Sequence, residues 1–191
     1  MARKAAPDAR EAPLSPARVA PLSHARVAPL SHEHRRAVEG VLRAFGPAAQ
    51  GPGPRHPPSV PRPDSDDEYL GAFDAQGTLI GYACFGSTPG TDRGYDLYWI
   101  AVHPSAQHTG CGTVLLNAVE QRLIALNARL AMVEVSSRPD HAGIRGFYAA
   151  RGYTESARVR GFYTPTDDRI VFTKRFQAVM RRRATLGGRH E

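Results

Sequence analysis

Hydrophobic residues follow two periodicities along the chain, and their order predicts a fold that combines helices with a sheet. Within 32–45 and 111–126, apolar residues recur three and four positions apart, which is the spacing of a helix with one buried face. Ser31 is the predicted N-cap of the first helix, and Gly46-Pro47 ends it. The predicted buried stripes are Val38, Val41, Leu42 and Phe45 in the first helix and Leu115, Val119, Leu123 and Leu126 in the second.

Short runs rich in aromatic and β-branched residues predict strands around these helices. The predicted strands cover residues 26–30, 69–73, 78–86, 95–102, 130–135, 153–163 and 169–176, with a short third helix over 140–150. Turn-forming residues at 74–77 and 89–92 predict tight connections. We therefore expect an α/β (α+β) fold of three layers: a mixed, mostly antiparallel central sheet flanked by helices, with one parallel contact.

The two ends of the chain differ in composition from its centre. Residues 1–24 are rich in alanine, proline and arginine, and the repeat Ala-Arg-Val-Ala-Pro-Leu-Ser-His begins at Ala17 and again at Ala25. Two short copies are too few for a solenoid. We interpret 1–24 as a low-complexity, disordered extension, 25–176 as one folded domain and 177–191 as a basic tail. Prolines and glycines within 46–66 predict a long irregular loop.

The composition favours a soluble protein with an anionic partner. A chain of 191 residues that is 41% hydrophobic supports one core, and its net charge of +7 suits coenzyme A or nucleic acid. Much of the positive charge lies at the ends, where basic tails are usually solvated, so nucleic acid is the less favoured partner. No apolar run is long enough to span a membrane, and the N-terminus has no apolar signal region, so we expect a cytoplasmic location.

Cysteines and histidines give no metal-binding pattern. Cys84 and Cys111 are the two cysteines, far apart and without a Cys-x-x-Cys spacing, which suits a reducing compartment. The histidines at 24, 32, 34 and 56 form no metal-ligand pattern with other donors. We therefore expect no metal cofactor.

A glycine-rich segment between the strand over 95–102 and the second helix carries the strongest functional signal. It reads Gln107, His108, Thr109, Gly110, Cys111, Gly112. A glycine turn before a helix exposes backbone N–H groups at the positive end of the helix dipole, which suits a phosphate or pyrophosphate. Thr113 adds a hydroxyl donor. The segment lacks the Gly-Lys-Ser/Thr of a P-loop and the glycine order of the Rossmann fingerprint.

Gln-x-x-Gly-x-Gly after a strand that ends in Ala-Val resembles the acetyl-CoA pyrophosphate loop of the GNAT (Gcn5-related N-acetyltransferase) superfamily. The segment 141–153 is similar to a second motif of this family, Asn-x-x-Ala-x-x-x-Tyr-x-x-x-Gly-Phe. Tyr148, Gly152 and Tyr153 match it, whereas His141 and Ile144 replace the usual Asn and Ala. The resemblance covers about residues 25–176. The alternative interpretation of the glycine segment is an ordinary strand-to-helix turn that uses glycine for packing.

The resemblance implies acetyl-CoA as co-substrate and assigns roles to residues of both motifs. The loop residues 107–113 would hold the pyrophosphate, and His141 stands where the family's Asn supports the pantetheine arm. Backbone N–H groups of Ile100, Ala101 and Val102, above all Val102, would polarise the thioester carbonyl. Tyr148 would protonate the departing thiolate, or would belong only to the buried face of its helix. Cys111 is either a reactive thiol or, as we favour, a small space-filling residue.

Two carboxylates are candidates for the general base that deprotonates the acceptor amine. Counting back from Ala101-Val102, Asp96 occupies the position of the glutamate base in the histone acetyltransferase branch, and its shorter side chain would act through a water. Glu134 on the next strand is the second candidate. Each also has a simpler interpretation, as a polar residue on a strand. His103 and His108 lie beside the phosphate loop, which favours ligand contact or a surface position.

The end of the resemblance is similar to the final hairpin of N-terminal protein acetyltransferases, whose aromatic residues line the acceptor pocket. Tyr163 and Asp168 match the family's Tyr and Asp, but Arg169 replaces a small residue. Tyr163 is therefore a candidate acceptor-binding residue, with an ordinary packed hairpin aromatic as the alternative.

These features together predict an N-acetyltransferase that moves an acetyl group from acetyl-CoA to a primary amine by direct transfer in a ternary complex. The amine would belong to a small molecule, a peptide or a protein, and the enzyme would be a monomer or a homodimer. One alternative is an aminoacyl-tRNA acetylating enzyme of the toxin type, which would bind RNA in a salt-dependent way. A second alternative is a non-catalytic acyl-CoA-binding regulator, which would bind CoA without turnover. A basic-tail nucleic-acid binder without a CoA site conflicts with the 107–112 loop.

Overall fold

The computed structural model describes residues 25–45, 60–62 and 66–176. The predicted extension 1–24, the tail 177–191 and most of the predicted loop 46–66 lie outside these residues. The strands are β1 (Arg26–Pro29), β2 (Glu68–Phe73), β3 (Leu79–Ser87), β4 (Gly94–Val102), β5 (Leu130–Ser136), β6 (Thr154–Thr164) and β7 (Asp167–Arg175). The helices are α1 (Arg35–Arg43), α2 (Cys111–Ala125) and α3 (Ala142–Ala149).

All seven strands form one sheet in the order β1-β2-β3-β4-β5-β7-β6. Neighbouring strands are antiparallel except β4 and β5, which α2 connects and which run parallel. The predicted mixed, mostly antiparallel sheet flanked by helices is therefore confirmed, including its one parallel contact. The Asp74–Gly77 turn is confirmed as well, because Asp74 Oδ1 accepts the N–H groups of Gln76 and Thr78 at 3.0 and 2.8 Å.

The helices cover opposite faces of the sheet, because alternate residues of each strand belong to different clusters. Ala83 and Phe85 of β3 pack with α2, whereas Tyr82 and Cys84 pack with α1. The two sides are called here the α2 face, which α3 shares, and the α1 face. The predicted stripes lie on these faces, with Val38 and Val41 buried in α1 and Leu115, Val119 and Leu123 buried in α2.

The first and third helices begin differently from prediction. His32–His34 forms a 3-10 turn before α1, and Pro139–His141 forms another before α3, so the α-helices start later than the hydrophobic pattern indicates. Ser31 is confirmed as a cap and donates its N–H to His34 Nδ1 at 3.2 Å. Leu116 is fully buried although the predicted stripe of α2 omits it.

Candidate active site

β4 and β5 are neighbours in the sheet, but they pair over a short stretch only. Within the described residues, their register joins Gly94–Asp96 to Leu130–Met132. Beyond Asp96, β4 continues to Val102 and β5 continues to Ser136 without pairing to each other. The two strands therefore separate, and a gap opens in the sheet towards their carboxyl ends.

A β-bulge in β4 lies where this gap begins. Cys84 of β3 is opposite Trp99, and the next residue, Phe85, is opposite Leu97. Tyr98 is thus an extra residue of β4. Both Tyr98 and Trp99 pack against the cluster beneath α1. The bulge places two consecutive aromatic side chains on the α1 face and increases the local twist of the strand beside the gap.

The backbone of β4 directs amide groups into the gap. His103 donates its N–H to the carbonyl of Ile80 on β3 at 2.8 Å. Alternate residues of an antiparallel strand face the same neighbour, so Ala101 also turns its N–H towards β3. The N–H groups of Ile100 and Val102 therefore point the other way, into the gap. Of the three predicted thioester-polarising residues, Ile100 and Val102 have the required direction and Ala101 does not.

The glycine segment is tied to the end of β4. Gln107 donates its side-chain amide to Val102 O at 3.2 Å, and the Thr109 hydroxyl donates to Ala106 O at 2.6 Å. His108 and Gly110 both adopt positive φ, +61° and +95°, and Gly110 is the N-cap of α2. Gln107 and Thr109 thus act here through hydrogen bonds that shape the turn.

The first turn of α2 has the features of an anion site. Gly110 has no side chain with which to cap the helix, so the N–H groups of the first turn remain available to a ligand. A Cβ on Gly112 would lie 3.5 Å from the Phe147 ring, which is ordinary contact, whereas a side chain on Gly110 would meet a strained φ. Of the two glycines, Gly110 is therefore the one that the backbone conformation requires.

Neither cysteine has the surroundings of a nucleophile. Cys111 is fully buried, and burial raises the pKa of its thiol to about 11, so the thiol is protonated at neutral pH. Cys84 is also fully buried, in the cluster beneath α1. Cys111 therefore fills space at the start of α2, as the sequence favours.

Arg151, which the sequence argument leaves without a role, reaches the first turn of α2. Its Nη2 donates to the Thr113 hydroxyl in a very short hydrogen bond, and its Nη1 donates to Phe147 O at 2.8 Å. The guanidinium also lies over the Phe147 ring, 3.8 Å from its centroid. Arg151 brings a positive charge to the predicted phosphate site. In the sequence, the signal that could have identified Arg151 was a basic residue inside the 141–153 motif.

Tyr148 extends from α3 into the core of the α2 face. Its ring makes edge contacts with Phe147 and Tyr153, at centroid distances of 5.2 and 5.4 Å. It belongs to the same buried cluster as Leu97 of β4 and Val133 of β5, the strands that border the gap. Burial raises the pKa of Tyr148 above its ordinary value, so its hydroxyl keeps its proton and can donate it.

His141 is the N-cap residue of α3 and is half-buried. Its backbone N–H donates to Arg138 O at 3.0 Å in the preceding 3-10 turn. Arg145 of α3 ties the same turn to β5, since its Nη1 donates to Ser136 O and Arg138 O at 2.8 and 2.9 Å. The start of α3 is thus held against the end of β5, beside the gap.

Asp96 lies on the α1 face, opposite Gly86 of β3 and Met132 of β5. Two residues further along β4, Tyr98 lies on the same face. Burial, and then the charges of Asp67 and Asp96, raise the pKa of Tyr98 to about 12. A Cβ on Gly86 would lie 2.6 Å from an Asp67 oxygen and 3.0 Å from the Tyr98 hydroxyl, so these groups meet above Gly86. This side of the gap is acidic.

Glu134 lies on the same face as Asp96, because it is two residues beyond Met132 on β5. Arg169 of β7 forms a very short ion pair with Glu134, and each side chain is 13% exposed. Tyr163 is half-buried near both, and burial, followed by the charge of Glu134, raises the pKa of its hydroxyl. The structure therefore groups Asp96, Glu134 and Tyr163 on the α1 side, away from Tyr148.

The described residues hold neither a metal-binding cluster nor a membrane-spanning helix. No group of three or more histidine, cysteine, aspartate or glutamate side chains in the described ranges could hold a metal ion. No helix within those ranges combines the length and apolar character that a membrane span requires.

Solved structures that are similar to this chain include acetyltransferases. A protein from Desulfovibrio desulfuricans, assigned to the GNAT acetyltransferases, is 27% identical with a TM-score of 0.66, covering 79% of this chain and 98% of that chain. The ribosomal-protein-S18-alanine N-acetyltransferase of Escherichia coli is 17% identical with a TM-score of 0.65, covering 83% and 97%. An aminoglycoside 6'-N-acetyltransferase complexed with coenzyme A is 14% identical with a TM-score of 0.62, covering 78% and 96%.

Sequence comparison assigns the family. No curated protein sequence matches the chain significantly. The family model described as the acetyltransferase (GNAT) family matches residues 38–153, more than half of the chain and the part that contains the gap, the glycine segment and Tyr148. Members of this family use acetyl-CoA as co-substrate. The chain therefore belongs to the GNAT family of acetyltransferases.

Proposed function

We propose that the protein is an N-acetyltransferase that moves the acetyl group of acetyl-CoA directly to a primary amine. The observation that carries this proposal is the gap between β4 and β5, bordered by chemically different groups on its two sides. The amides of Ile100 and Val102 face into it, and Tyr148 belongs to the cluster on its α2 side. Asp96 and Glu134 lie on its α1 side.

In this proposal, the thioester lies in the gap and the amine attacks its carbonyl carbon from the α1 side. The amide of Val102, supported by Ile100, stabilises the oxyanion that forms. Tyr148 then gives its proton to the departing CoA thiolate, and its raised pKa keeps that proton available. The first turn of α2, with Thr113 and Arg151, holds the pyrophosphate. His141 at the start of α3 supports the pantetheine arm.

Of the two carboxylates, we propose Asp96 as the general base, acting through a water. Glu134 is the second candidate, but its carboxylate forms an ion pair with Arg169, so one of its oxygens is already engaged within the protein. Asp96 lies opposite Gly86, above which the Tyr98 hydroxyl and an Asp67 oxygen meet, so it borders a polar region on the α1 side of the gap.

The test is release of free CoA thiol from acetyl-CoA in the presence of a panel of primary amines, with the product identified by mass spectrometry. We expect amine-dependent thiol release, and about 100-fold lower kcat in Asp96→Asn but not in a matched change of Asp92, an exposed aspartate in the turn before β4. Thiol release without any amine product, or a competent acetylated Cys84 or Cys111 intermediate, would contradict direct transfer.

A further inference from the structure

The side chain of Arg169 is placed by strand register on the α1 side of the gap. It lies opposite Ser136 of β5, two residues beyond Glu134 on the same face. This face also carries Asp96, which lies opposite Met132 two residues before Glu134. Arg169 therefore lies beside the carboxylates that the proposed function assigns to the acceptor side.

The guanidinium of Arg169 has few partners for a group so deeply placed. Its side chain is 13% exposed, and its one hydrogen bond within the described residues runs from Nη2 to Glu134. Its Nε is buried without a hydrogen-bond partner. A guanidinium has five N–H donors, and leaving such donors unsatisfied away from water costs free energy.

The hydroxyl of Tyr163, beside Arg169, is a second buried donor without a hydrogen-bond partner. Its pKa responds to the charges of Glu134, Arg169 and Asp167, so all four groups lie close together. The Phe162 ring covers the guanidinium, with Cζ 5.2 Å from its centroid.

Two acidic groups adjoin this cluster, and each is held by donors of the protein itself. Glu134 holds Arg169 from one side. Asp167 Oδ1 accepts hydrogen bonds from the Ser136 hydroxyl and the Ser137 N–H, at 2.6 and 3.0 Å, which fixes Asp167 to the end of β5, while its Oδ2 is buried without a partner. The unused donors thus belong to Arg169 and Tyr163. A planar anionic acceptor with two oxygens, a carboxylate, satisfies a guanidinium edge and a hydroxyl together.

We propose that Arg169 binds a carboxylate of the acceptor, so that the acceptor is an amine that also carries a carboxylate, such as an amino acid. This rests on the proposed function and narrows its substrate class. Glu134 is then a positioning residue, which orients the guanidinium, and the amine lies towards Asp96. An aromatic ring and a hydroxyl from the β6–β7 hairpin complete the carboxylate site.

The experiment compares acceptors that differ in the carboxylate alone. Glycine, β-alanine and γ-aminobutyrate are assayed against their carboxamides, with 2-aminoethylphosphonate as a second anion, by thiol release from acetyl-CoA. We expect at least one amino acid to exceed its carboxamide about tenfold or more in kcat/KM. Equal rates for every pair, or preference for the carboxamides or the phosphonate, overturns the carboxylate assignment.

The variants separate Arg169 from general effects of charge on the hairpin. Arg169→Gln should remove the preference for the amino acid over its carboxamide, and Arg169→Lys should restore part of it. Arg175→Gln is the matched control, because Arg175 is an exposed arginine at the other end of β7, opposite Leu130 of β5. A preference that survives Arg169→Gln, or that Arg175→Gln removes equally, overturns the proposal.

A binding measurement tests the proposed carboxylate site independently of catalysis. The amino acids are titrated calorimetrically into the CoA-saturated protein, and we expect binding in the wild type that falls about tenfold in Arg169→Gln. The double variant Arg169→Gln/Glu134→Gln removes both members of the ion pair, so neither charge is left without the other, and it should show the same loss if folding is intact by circular dichroism. Binding without turnover of any amine contradicts the proposed function alone, whereas turnover of amines without carboxylate binding contradicts this inference alone.

Discussion

The two sides of the gap are built in different ways. On the α2 side, the groups assigned to acetyl-CoA are largely backbone: the first turn of α2, the amides of β4 and a turn held by Gln107 and Thr109. On the α1 side, the groups assigned to the acceptor are side chains from separate strands, and Glu134 and Arg169 are 35 positions apart in sequence. A backbone site leaves a local motif in the sequence, whereas a site of paired side chains leaves none.

This difference implies a division of labour that mutations can test. Changes on the α2 side should act on acetyl-CoA, whatever the amine, because every reaction uses the same co-substrate. Changes on the α1 side should act on the acceptor and leave acetyl-CoA binding unchanged. A variant that changes both the affinity for acetyl-CoA and the KM for the acceptor would contradict this division.

The largest effect is expected from Gly110→Asp. The new side chain is strained at φ +95° and places a negative charge at the N-terminus of α2, where a pyrophosphate is proposed to bind. We expect about 100-fold weaker binding of acetyl-CoA in isothermal titration. Gly90→Asp is the matched control. Gly90 also has a positive φ, +74°, and open space around it, but it lies in the turn before β4 and not in the proposed pyrophosphate site. Equal losses in both variants would mean that strain alone is responsible.

The sequence predicts the α2 side in far greater detail than the α1 side. The strand, the glycine segment and the stripe of α2 are local patterns, and the structure places them together as expected. The bulge at Tyr98 and the direction of the Ala101 amide depend on pairing with β3, which local pattern does not encode. The sequence shows that Arg169 stands where the family has a small residue. Its ion pair with Glu134 can be recognised only once the β5–β7 register is known.

The next largest effect is expected from Tyr148→Phe, which removes the proposed proton donor. We expect kcat to fall about 100-fold with little change in the KM for acetyl-CoA. Tyr153→Phe, which removes the hydroxyl of the adjoining ring, is the control and should keep kcat within about twofold. A KM increase without loss of kcat in Tyr148→Phe would assign this residue to binding.

The raised pKa of Tyr148 also predicts a pH dependence. A proton donor works while it is protonated, and a pKa above the ordinary value of 10.0 extends that state to higher pH. The wild-type kcat should therefore show no alkaline decrease between about pH 7 and 9.5. A decrease centred in that range would assign the proton donation to a group with a lower pKa.

A smaller effect on the α2 side is expected from Arg151→Gln. The variant loses the hydrogen bond to Thr113 and a positive charge near the proposed pyrophosphate site. We expect the KM for acetyl-CoA to rise about tenfold with kcat within about twofold, since a contact to a phosphate that persists throughout the reaction contributes to binding alone. Arg129→Gln is the control, because Arg129 donates to Asp92 O near the opposite ends of β4 and β5.

The smallest effect, and the sharpest test of the acceptor side, is expected from Asp168→Asn. Asp168 accepts the N–H of Gly161 and a guanidinium hydrogen bond from Arg158, which together lower the pKa of its carboxyl and fix the β6–β7 hairpin. Because the folded-state pKa is depressed, this stabilisation is present above about pH 4 and is lost as pH falls through the folded value.

At neutral pH the Asp168→Asn variant should raise the KM for the acceptor about two- to fivefold, since the hairpin that carries Phe162 and Tyr163 is less well held. The KM for acetyl-CoA should not change, because the hairpin contributes no residue to the proposed pyrophosphate site. Steady-state kinetics with each substrate varied in turn measure both values, and a matching increase in the acetyl-CoA KM would show that the two sides of the gap are coupled through the hairpin.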